Sequence, residues 1–246
     1  MTDSDNTQTL VLMFVFAFAS LLHGISGLGV TLVTTSALAS MYSLPDAIIL
    51  VIFPSLLLNA MTWLIGGGRS IWQNFIYYGR RYWLLASTSL FGSIIGAKLL
   101  LIVDSAYILV VLAVVIGFYV LSALRGKQIR LPNTKPVLIV IGLSAGIIGG
   151  ATNAMSTILM MYLLSVSNDK HTLAKVGNMC YLLSKVAQII VLREPIMALN
   201  NNEWQLIALL SAISVATLLV GIRLRRYLPQ ARFRQLILLI LSVLGI

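Results

Sequence analysis

The stretch from Leu10 to Ile65 carries a single formal charge, Asp46, and this constrains the fold more than any other feature of the chain. Further long apolar stretches follow it, and of the 246 residues 59% are hydrophobic while only 10% are charged. About 20 consecutive apolar residues span a bilayer, so the sequence predicts an all-α polytopic membrane protein. The N-terminus is acidic and lacks the basic region of a cleavable signal, so we expect the first stretch to be retained.

The net charge of +10 comes mainly from three short connections between apolar segments. In a soluble protein such a charge would suggest a nucleic-acid partner. In a membrane protein basic connections mark the cytoplasmic face, so we predict the lipid bilayer as partner and no nucleic acid. The apolar segments are 10–41, 47–65, 82–102, 107–124, 137–165, 172–192, 204–222 and 232–246, and the basic connections are 66–81, 125–136 and 223–234.

Segments 10–41 and 137–165 are each too long for one comfortable span and too short for two. If the basic connections are cytoplasmic, the first segment enters and leaves on the outer face and the second on the inner face. We predict that each is a re-entrant hairpin, a pair of half-helices that meet at a break near the midplane. A single long tilted helix per segment is the alternative.

The two halves of the chain resemble each other. HGISGLGVTLVTTS at 23–36 corresponds to GLSAGIIGGATNAMST at 142–157, and GSIIGAKLL at 92–100 corresponds to TLLVGIRLR at 217–225. We therefore predict two inverted-topology repeats, each a re-entrant helical hairpin plus three transmembrane helices. Many secondary transporters share this plan and bind their substrate where discontinuous helices meet. The predicted repeats are 1–124 and 125–246.

Five motifs, taken in their order along nearly the whole chain, resemble the TauE/SafE (TSUP) family of sulfite exporters and small-anion permeases. The resemblance implies a carrier in a prokaryotic plasma membrane. It also implies export or uptake of a small sulfur-containing anion, such as sulfite or a sulfonate, by alternating access. The motifs are GISGLG at 24–29, GSIIGAKLL at 92–100, GLSAGIIGG at 142–150, MMYLL at 160–164 and GIRLRR at 221–226.

The chain departs from the family pattern at both predicted breaks. The family usually has a longer glycine run and then a proline in the first break, where this chain has Val30-Thr31 and Thr35. In the second break the family usually ends Gly-x-Gly-Gly-Pro, where this chain has Asn153 to Ser156. Asn153 tolerates left-handed backbone, so we expect the turn to survive while the substrate identity stays open.

An anion inside a low-dielectric slab needs hydrogen-bond donors and positive potential, and half-helix N-termini supply both. We therefore predict that a small organic or inorganic anion binds where the breaks and their neighbouring helices meet. The alternative is that the glycines serve close helix packing and the hydroxyls cap the local backbone. The predicted substrate-binding residues are His23, Gly24, Ser26, Gly27, Gly29, Thr31, Asn59, Gly149, Gly150, Thr152, Asn153, Ser156, Asn178 and Lys185.

Lys185 lies deep inside segment 172–192, where an ammonium usually faces a cavity or a partner. The acidic residues all fall in termini or connections, so a mobile anion is its predicted partner, and snorkelling to the outer interface is the alternative. His23 is the candidate for proton coupling, with a structural hydrogen bond as the alternative. Lys98 and Arg223 are candidate charges at the two mouths, or else interfacial anchors.

Two other functions compete with the carrier. A passive anion channel could use the same repeat. Gly24 to Gly27 form a GxSG string like the nucleophile motif of rhomboid proteases, but such an enzyme needs a histidine from a separate helix, and only His23 and His171 exist. We predict no enzyme. With Cys180 as the one cysteine, we also predict no metal site and no cofactor, and the sequence leaves the oligomeric state open.

Overall fold

The computed structural model describes residues 3–65, 68–104, 131–167 and 169–229, together with 106–108, 110, 114, 232 and 235. Regular structure in these ranges is entirely α-helical. The predicted helices 107–124 and 232–246 lie outside the continuously described ranges. The helices are α1 Asp3–Ser26, α2 Val30–Ala39, α3 Leu44–Leu64, α4 Ile71–Arg81, α5 Trp83–Ile102, α6 Lys135–Thr152, α7 Met155–Val166, α8 Lys170–Val191, α9 Arg193–Met197 and α10 Asn201–Tyr227.

Five of these helices, α1, α3, α5, α6 and α10, are long and apolar enough to cross a membrane. The predicted helices at 47–65, 82–102, 172–192 and 204–222 are confirmed as α3, α5, α8 and α10. Three of them begin a few residues before the apolar pattern, because a polar side chain caps each N-terminus. The caps are Ser43, Asp169 and Asn200.

Each of the two long predicted segments is interrupted once. In the first, Gly27 and Gly29 have φ of 81° and 96°, and in the second Asn153 has φ of 65°. This left-handed backbone is open to glycine and tolerated by asparagine, so a right-handed helix ends there. We call residues 27–29 the first break and residues 153–154 the second break.

The arms on either side of each break differ in length. Helices α1 and α6 have 24 and 18 residues, whereas α2 and α7 have 10 and 12. The prediction of half-helices is therefore wrong for α1 and α6, each of which is long enough to span by itself. The reason is that the apolar sequence before each break runs on without a residue that stops the helix.

The short helices turn back toward the end where the long ones began. Leu38, near the end of α2, packs with Leu12 near the start of α1. Likewise Tyr162 of α7 donates a hydrogen bond of 3.0 Å from its hydroxyl to Asn133, just before α6 begins. In each interrupted segment the short helix thus packs back along the long one.

Two pairs of long helices pack closely and run parallel. In the α1–α10 pair Leu12 clusters with Ile207, and a Cβ on Gly24 would lie only 2.7 Å from Gly221 Cα. In the α5–α6 pair a Cβ on Gly150 would lie 2.9 Å from Ser93 Cα. Small residues allow this close approach of backbones, which is common between membrane helices. The first arm of each break is therefore held by a helix from the other half of the chain.

One end of the bundle, which we call the basic end, gathers the described parts of the three basic connections. Tyr82, Leu131 and Leu228 pack against one hydrophobic cluster there. Lys175, near the start of α8, donates to the carbonyls of Trp63 and Ile65 at the end of α3 (2.8 and 3.0 Å). Cationic side chains thus satisfy carbonyls that a helix C-terminus leaves open.

Candidate functional site

The two breaks have the same local hydrogen-bonding pattern. The Ser26 hydroxyl donates to the carbonyl of Leu22 (2.7 Å) and accepts from the backbone N–H of Leu28 (3.2 Å). Thr152 repeats this pattern, because its hydroxyl donates to Ile148 (2.7 Å) and accepts from the N–H of Ala154 (3.2 Å). A hydroxyl residue therefore ends each long arm and fixes the turn that follows.

Helix α8 runs past both breaks and presents a different polar residue to each. At the first break, Asn178 donates to the carbonyl of Gly27 (2.7 Å), and its side-chain oxygen lies 2.8 Å from His23 Nε2. Lys185, which contacts the second break, lies seven residues later, about 10 Å further along the helix axis. Both contacts fall well inside α8, so both breaks lie in the interior of the helix bundle.

The second break carries the charged contact. Lys185 is only 2% exposed, and its ammonium donates to the side-chain oxygen of Asn153 and to that of Gln188 (2.7 Å). Gln188 in turn donates to the carbonyl of Gly150 (2.9 Å) and to Asn153 (3.0 Å). Lys185 therefore does not snorkel to the interface, and all of these acceptors are neutral.

Helix α2 links the first interrupted segment to the second break. Thr31 in its first turn donates to the backbone carbonyl of Asn153 (3.0 Å). Asn153 Nδ2 donates to the hydroxyl of Thr35 (2.7 Å), one turn later. Asn153 thus links α2 of the first half to α8 of the second half.

Helix α3 presents buried polar atoms without partners beside this region. Ser55 Oγ, both amide atoms of Asn59 and Thr62 Oγ1 are buried and make no hydrogen bond to the described residues. Their spacing of four and three residues places them on one face of α3. The Ser156 and Ser184 hydroxyls and His23 Nδ1 are also buried and unpartnered in the same sense. Such groups are costly to bury, so each is a candidate contact for a ligand or water.

The glycines and hydroxyls of the predicted site have clear structural roles. Gly24 and Gly150 allow close helix packing, while Gly27 and Gly29 adopt left-handed backbone. The Gly149 carbonyl accepts the N–H of Asn153 (2.9 Å). The Ser26 and Thr152 hydroxyls cap the local backbone. These glycines and hydroxyls thus have the packing and capping roles that were the alternative to binding an anion. Asn153, Asn178 and Lys185, by contrast, join the two breaks to α8.

The remaining charged residues lie apart from the breaks. Lys98 and Arg223 are exposed near the C-terminal ends of α5 and α10, which lie at opposite ends of the bundle. None of the acidic side chains described at 46, 104, 169, 194 and 203 is buried. The described part of the chain therefore offers no buried carboxylate to neutralise Lys185.

Several contributors were not in the predicted site. Gln188 lies one turn from Lys185, and this spacing was the available signal. Thr35, Ser55 and Thr62 had only their position in apolar helices to mark them. Arg225 donates to the carbonyls of Ile25 (2.9 Å) and His23 (3.3 Å) at the end of α1, and no local pattern connects residues about 200 positions apart.

The geometry at Ser26 does not resemble a catalytic dyad. The described hydrogen bonds of its hydroxyl go to the backbone, and His23 Nε2 is directed to Asn178 instead. A serine nucleophile needs a histidine within hydrogen-bond reach. In the described residues there is also no cluster of three or more histidine, cysteine or acidic side chains that could hold a metal ion.

Apolar helices that can cross a bilayer, together with a buried polar interior at two helix breaks, define a multi-pass membrane protein of the transporter class. The sequence model of the family "Sulfite exporter TauE/SafE" matches residues 12–246. The chain therefore belongs to the TauE/SafE sulfite exporter family, which confirms the resemblance carried by its motifs. Comparisons with curated proteins and with solved structures gave no match.

Proposed function

We propose that this protein moves a small sulfur-containing anion, such as sulfite or a sulfonate, across the plasma membrane of a prokaryote by alternating access. The anion is bound between the two breaks, with Asn178 at the first break and Lys185 and Asn153 at the second. His23 is the candidate for coupling to protons. The family supports transport of such an anion, and the buried polar contacts of the two breaks support the location.

The observation that carries the proposal is the environment of Lys185. Of the three buried cations described, Lys175 and Arg225 bind backbone carbonyls at helix ends. Lys185 instead bonds to side-chain amides that can rotate away, and no buried carboxylate is described. A charge buried at this depth is costly in free energy unless an opposite charge compensates it. A mobile anion provides that charge.

Uncapped helix starts add to the positive potential. Helix α2 begins after Gly29 and α7 begins after Ala154, and neither N-cap makes a side-chain hydrogen bond among the described residues. Free N–H groups and the positive end of the helix dipole favour an anion. The unpartnered donors Asn59 and Ser156 offer further hydrogen bonds. Together these groups suit an oxyanion that must bind but must not be held too tightly to be released.

Alternating access is proposed on the two-fold plan of the chain. The α1–α2 and α6–α7 segments start from opposite ends of the bundle, and each long arm packs parallel to a helix of the other half. This is the arrangement expected of inverted repeats 1–124 and 125–246 that rock around a fixed site. The basic end is then cytoplasmic, because basic connections stay inside.

Transport of labelled sulfite into proteoliposomes tests the proposal. The wild type should show saturable counterflow, and Lys185→Met should abolish it, because the buried positive charge is lost. Lys135→Met, which removes an exposed lysine at the basic end, is the matched control and should transport normally. Both variants should elute as the wild type does on gel filtration.

Ligand-induced stabilisation identifies the anion independently. Sulfite, thiosulfate, sulfonates and carboxylates are added to purified protein, and a true substrate at 100 times its Kd should stabilise the wild type by about 2.7 kcal/mol. Lys185→Met should lose this stabilisation. Unchanged sulfite transport in Lys185→Met would remove this lysine from the site, and unitary currents in the wild type would establish a channel instead of a carrier.

A further inference from the structure

Helix α4 has two faces of opposite character. It joins α3 to α5 at the basic end and, with 11 residues, is about 16 Å long, too short to cross a bilayer. Its inner face is fixed, because Tyr78 is buried and Asn74 donates to the carbonyl of Leu64 (2.8 Å). Its outer face is open and carries exposed aromatic side chains, since Trp72 is 67% and Phe75 is 47% exposed.

A basic groove of about 680 Å³ lies along this outer face. Its walls include Trp72, Tyr77 and three arginines, Arg69, Arg80 and Arg81. The Arg69 guanidinium lies 4.2 Å from the centre of the Tyr77 ring, and Arg81 donates to the Tyr77 hydroxyl (3.2 Å). The aromatic ring therefore holds two guanidinium groups beside the groove without neutralising them.

The charge of the groove is not balanced locally. The sequence has no acidic residue between Asp46 and Asp104, so α4 and α5 carry none. The helix before them, α3, carries one, Asp46 in its first turn. That turn is at the opposite end of α3 from the groove. The seven residues that line the groove thus include three exposed arginines and no acidic side chain.

We infer that α4 lies in the membrane interface and that the arginine groove binds the phosphate headgroup of an anionic phospholipid. An amphipathic helix with exposed tryptophan and phenylalanine on one side and arginines beside them suits the boundary between acyl chains and headgroups. Guanidinium groups bind phosphate oxygens through paired hydrogen bonds. A free phosphate ion would satisfy the arginines but would leave the apolar side chains uncovered, whereas a lipid satisfies both.

Fluorescence quenching by brominated lipids tests this site on the full chain in detergent. Phosphatidylglycerol with brominated acyl chains is titrated against brominated phosphatidylcholine, and tryptophan quenching is recorded. The wild type should reach half-maximal quenching with phosphatidylglycerol at a concentration on the order of tenfold lower, because each nearby arginine favours an anionic lipid. Trp72→Phe should lose the component that shows this preference.

Charge-matched variants separate the groove from general electrostatics. Arg69→Gln/Arg80→Gln should lose the preference for phosphatidylglycerol, and the single variant Arg80→Gln, the fallback if the double variant does not fold, should weaken it. Lys135→Gln/Arg226→Gln removes the same charge from exposed positions at the same end and should keep it. Equal preference in all four proteins, or displacement of the lipid by millimolar glycerol phosphate, would overturn the inference.

Discussion

The first and second breaks share a backbone and differ in what surrounds them. Ser26 and Thr152 make equivalent hydrogen bonds, and Gly27 and Asn153 follow them in left-handed backbone. The first break is bound by a neutral residue, Asn178. The second is bound by a cation, since its asparagine side chain accepts from Lys185. The buried cation near the first break, Arg225, binds carbonyls at the end of α1 instead. The same turn is therefore used twice, with the neighbouring positive charge in a different place each time.

The difference extends to the helix that follows each interrupted segment. Ser26 and Thr152 are 126 residues apart, and the same separation relates Asn59 of α3 to Lys185 of α8 and Thr62 to Gln188. In the second half the two side chains bond to the break. In the first half both are buried without described partners. The side chains that bond to the second break thus correspond, at the same separation along the chain, to first-half side chains that have no described partner.

Adding a methyl group to the tight helix pairs should have the largest effect. Gly24→Ala and Gly150→Ala each place a Cβ within 3 Å of the backbone of the partner helix, so each pair must separate. We expect each variant to lose about 3 kcal/mol or more, because neither backbone can give way locally. Thermal unfolding in detergent, followed by circular dichroism, measures the loss.

Gly79→Ala on α4 is the matched control for these glycine variants. A Cβ at this position meets no atom within 4 Å, so the helix should gain stability by about 0.5–1 kcal/mol. If the two tight pairs are equivalent, Gly24→Ala and Gly150→Ala should cost similar amounts. A large loss for one and none for the other would break the equivalence of the halves.

The sequence made the breaks predictable but not the contacts that hold them. Glycines and Asn153 in apolar stretches, repeated in both halves, pointed to a break in each long segment, and the structure has left-handed backbone at Gly27, Gly29 and Asn153. A charge inside an apolar helix marked Lys185. Arg225 lay in the basic connection 223–234 and Lys175 near the start of segment 172–192, and neither was marked as a contact, because the carbonyls that they bind belong to distant segments with no side-chain pattern.

Removing the open polar group of the first half should affect transport more than stability. Asn59→Leu keeps the number and branching of the side-chain heavy atoms and replaces amide atoms that have no described partner, so stability should stay within about 1 kcal/mol or rise. If Asn59 contacts the anion, sulfite counterflow in proteoliposomes should fall at least tenfold.

Asn178→Leu is the contrasting variant at the same break. Asn178 bonds to the carbonyls of Gly27 and Ala174 (2.7 and 2.8 Å) and to His23. Its loss leaves buried groups unpaired, so the unfolding midpoint should drop, with a cost of about 1–3 kcal/mol. If Asn59→Leu were less stable than Asn178→Leu and transported sulfite normally, Asn59 would make a structural contact and would not bind the anion.

The helix caps give the smallest and most discriminating comparison. Ser43 and Asp169, again 126 residues apart, cap α3 and α8. Asp169 accepts the N–H of Thr172 at 2.9 Å, whereas Ser43 accepts the N–H of Asp46 at 3.4 Å. We expect Asp169→Ala to cost about 1 kcal/mol and Ser43→Ala less, because the shorter bond carries a charge that also favours the helix dipole.

Acid should weaken the Asp169 cap. Partial burial raises the pKa of the Asp169 carboxyl, but hydrogen bonds from Thr172 and from backbone N–H groups outweigh burial and hold this pKa below its usual value. A lowered pKa means that the carboxylate stabilises the folded state above the unfolded pKa, about 4, and that this contribution is lost as the pH falls through the folded value. The difference in unfolding midpoint between wild type and Asp169→Ala should therefore shrink on acidification. A difference that stays constant with pH would place the acid-sensitive group elsewhere.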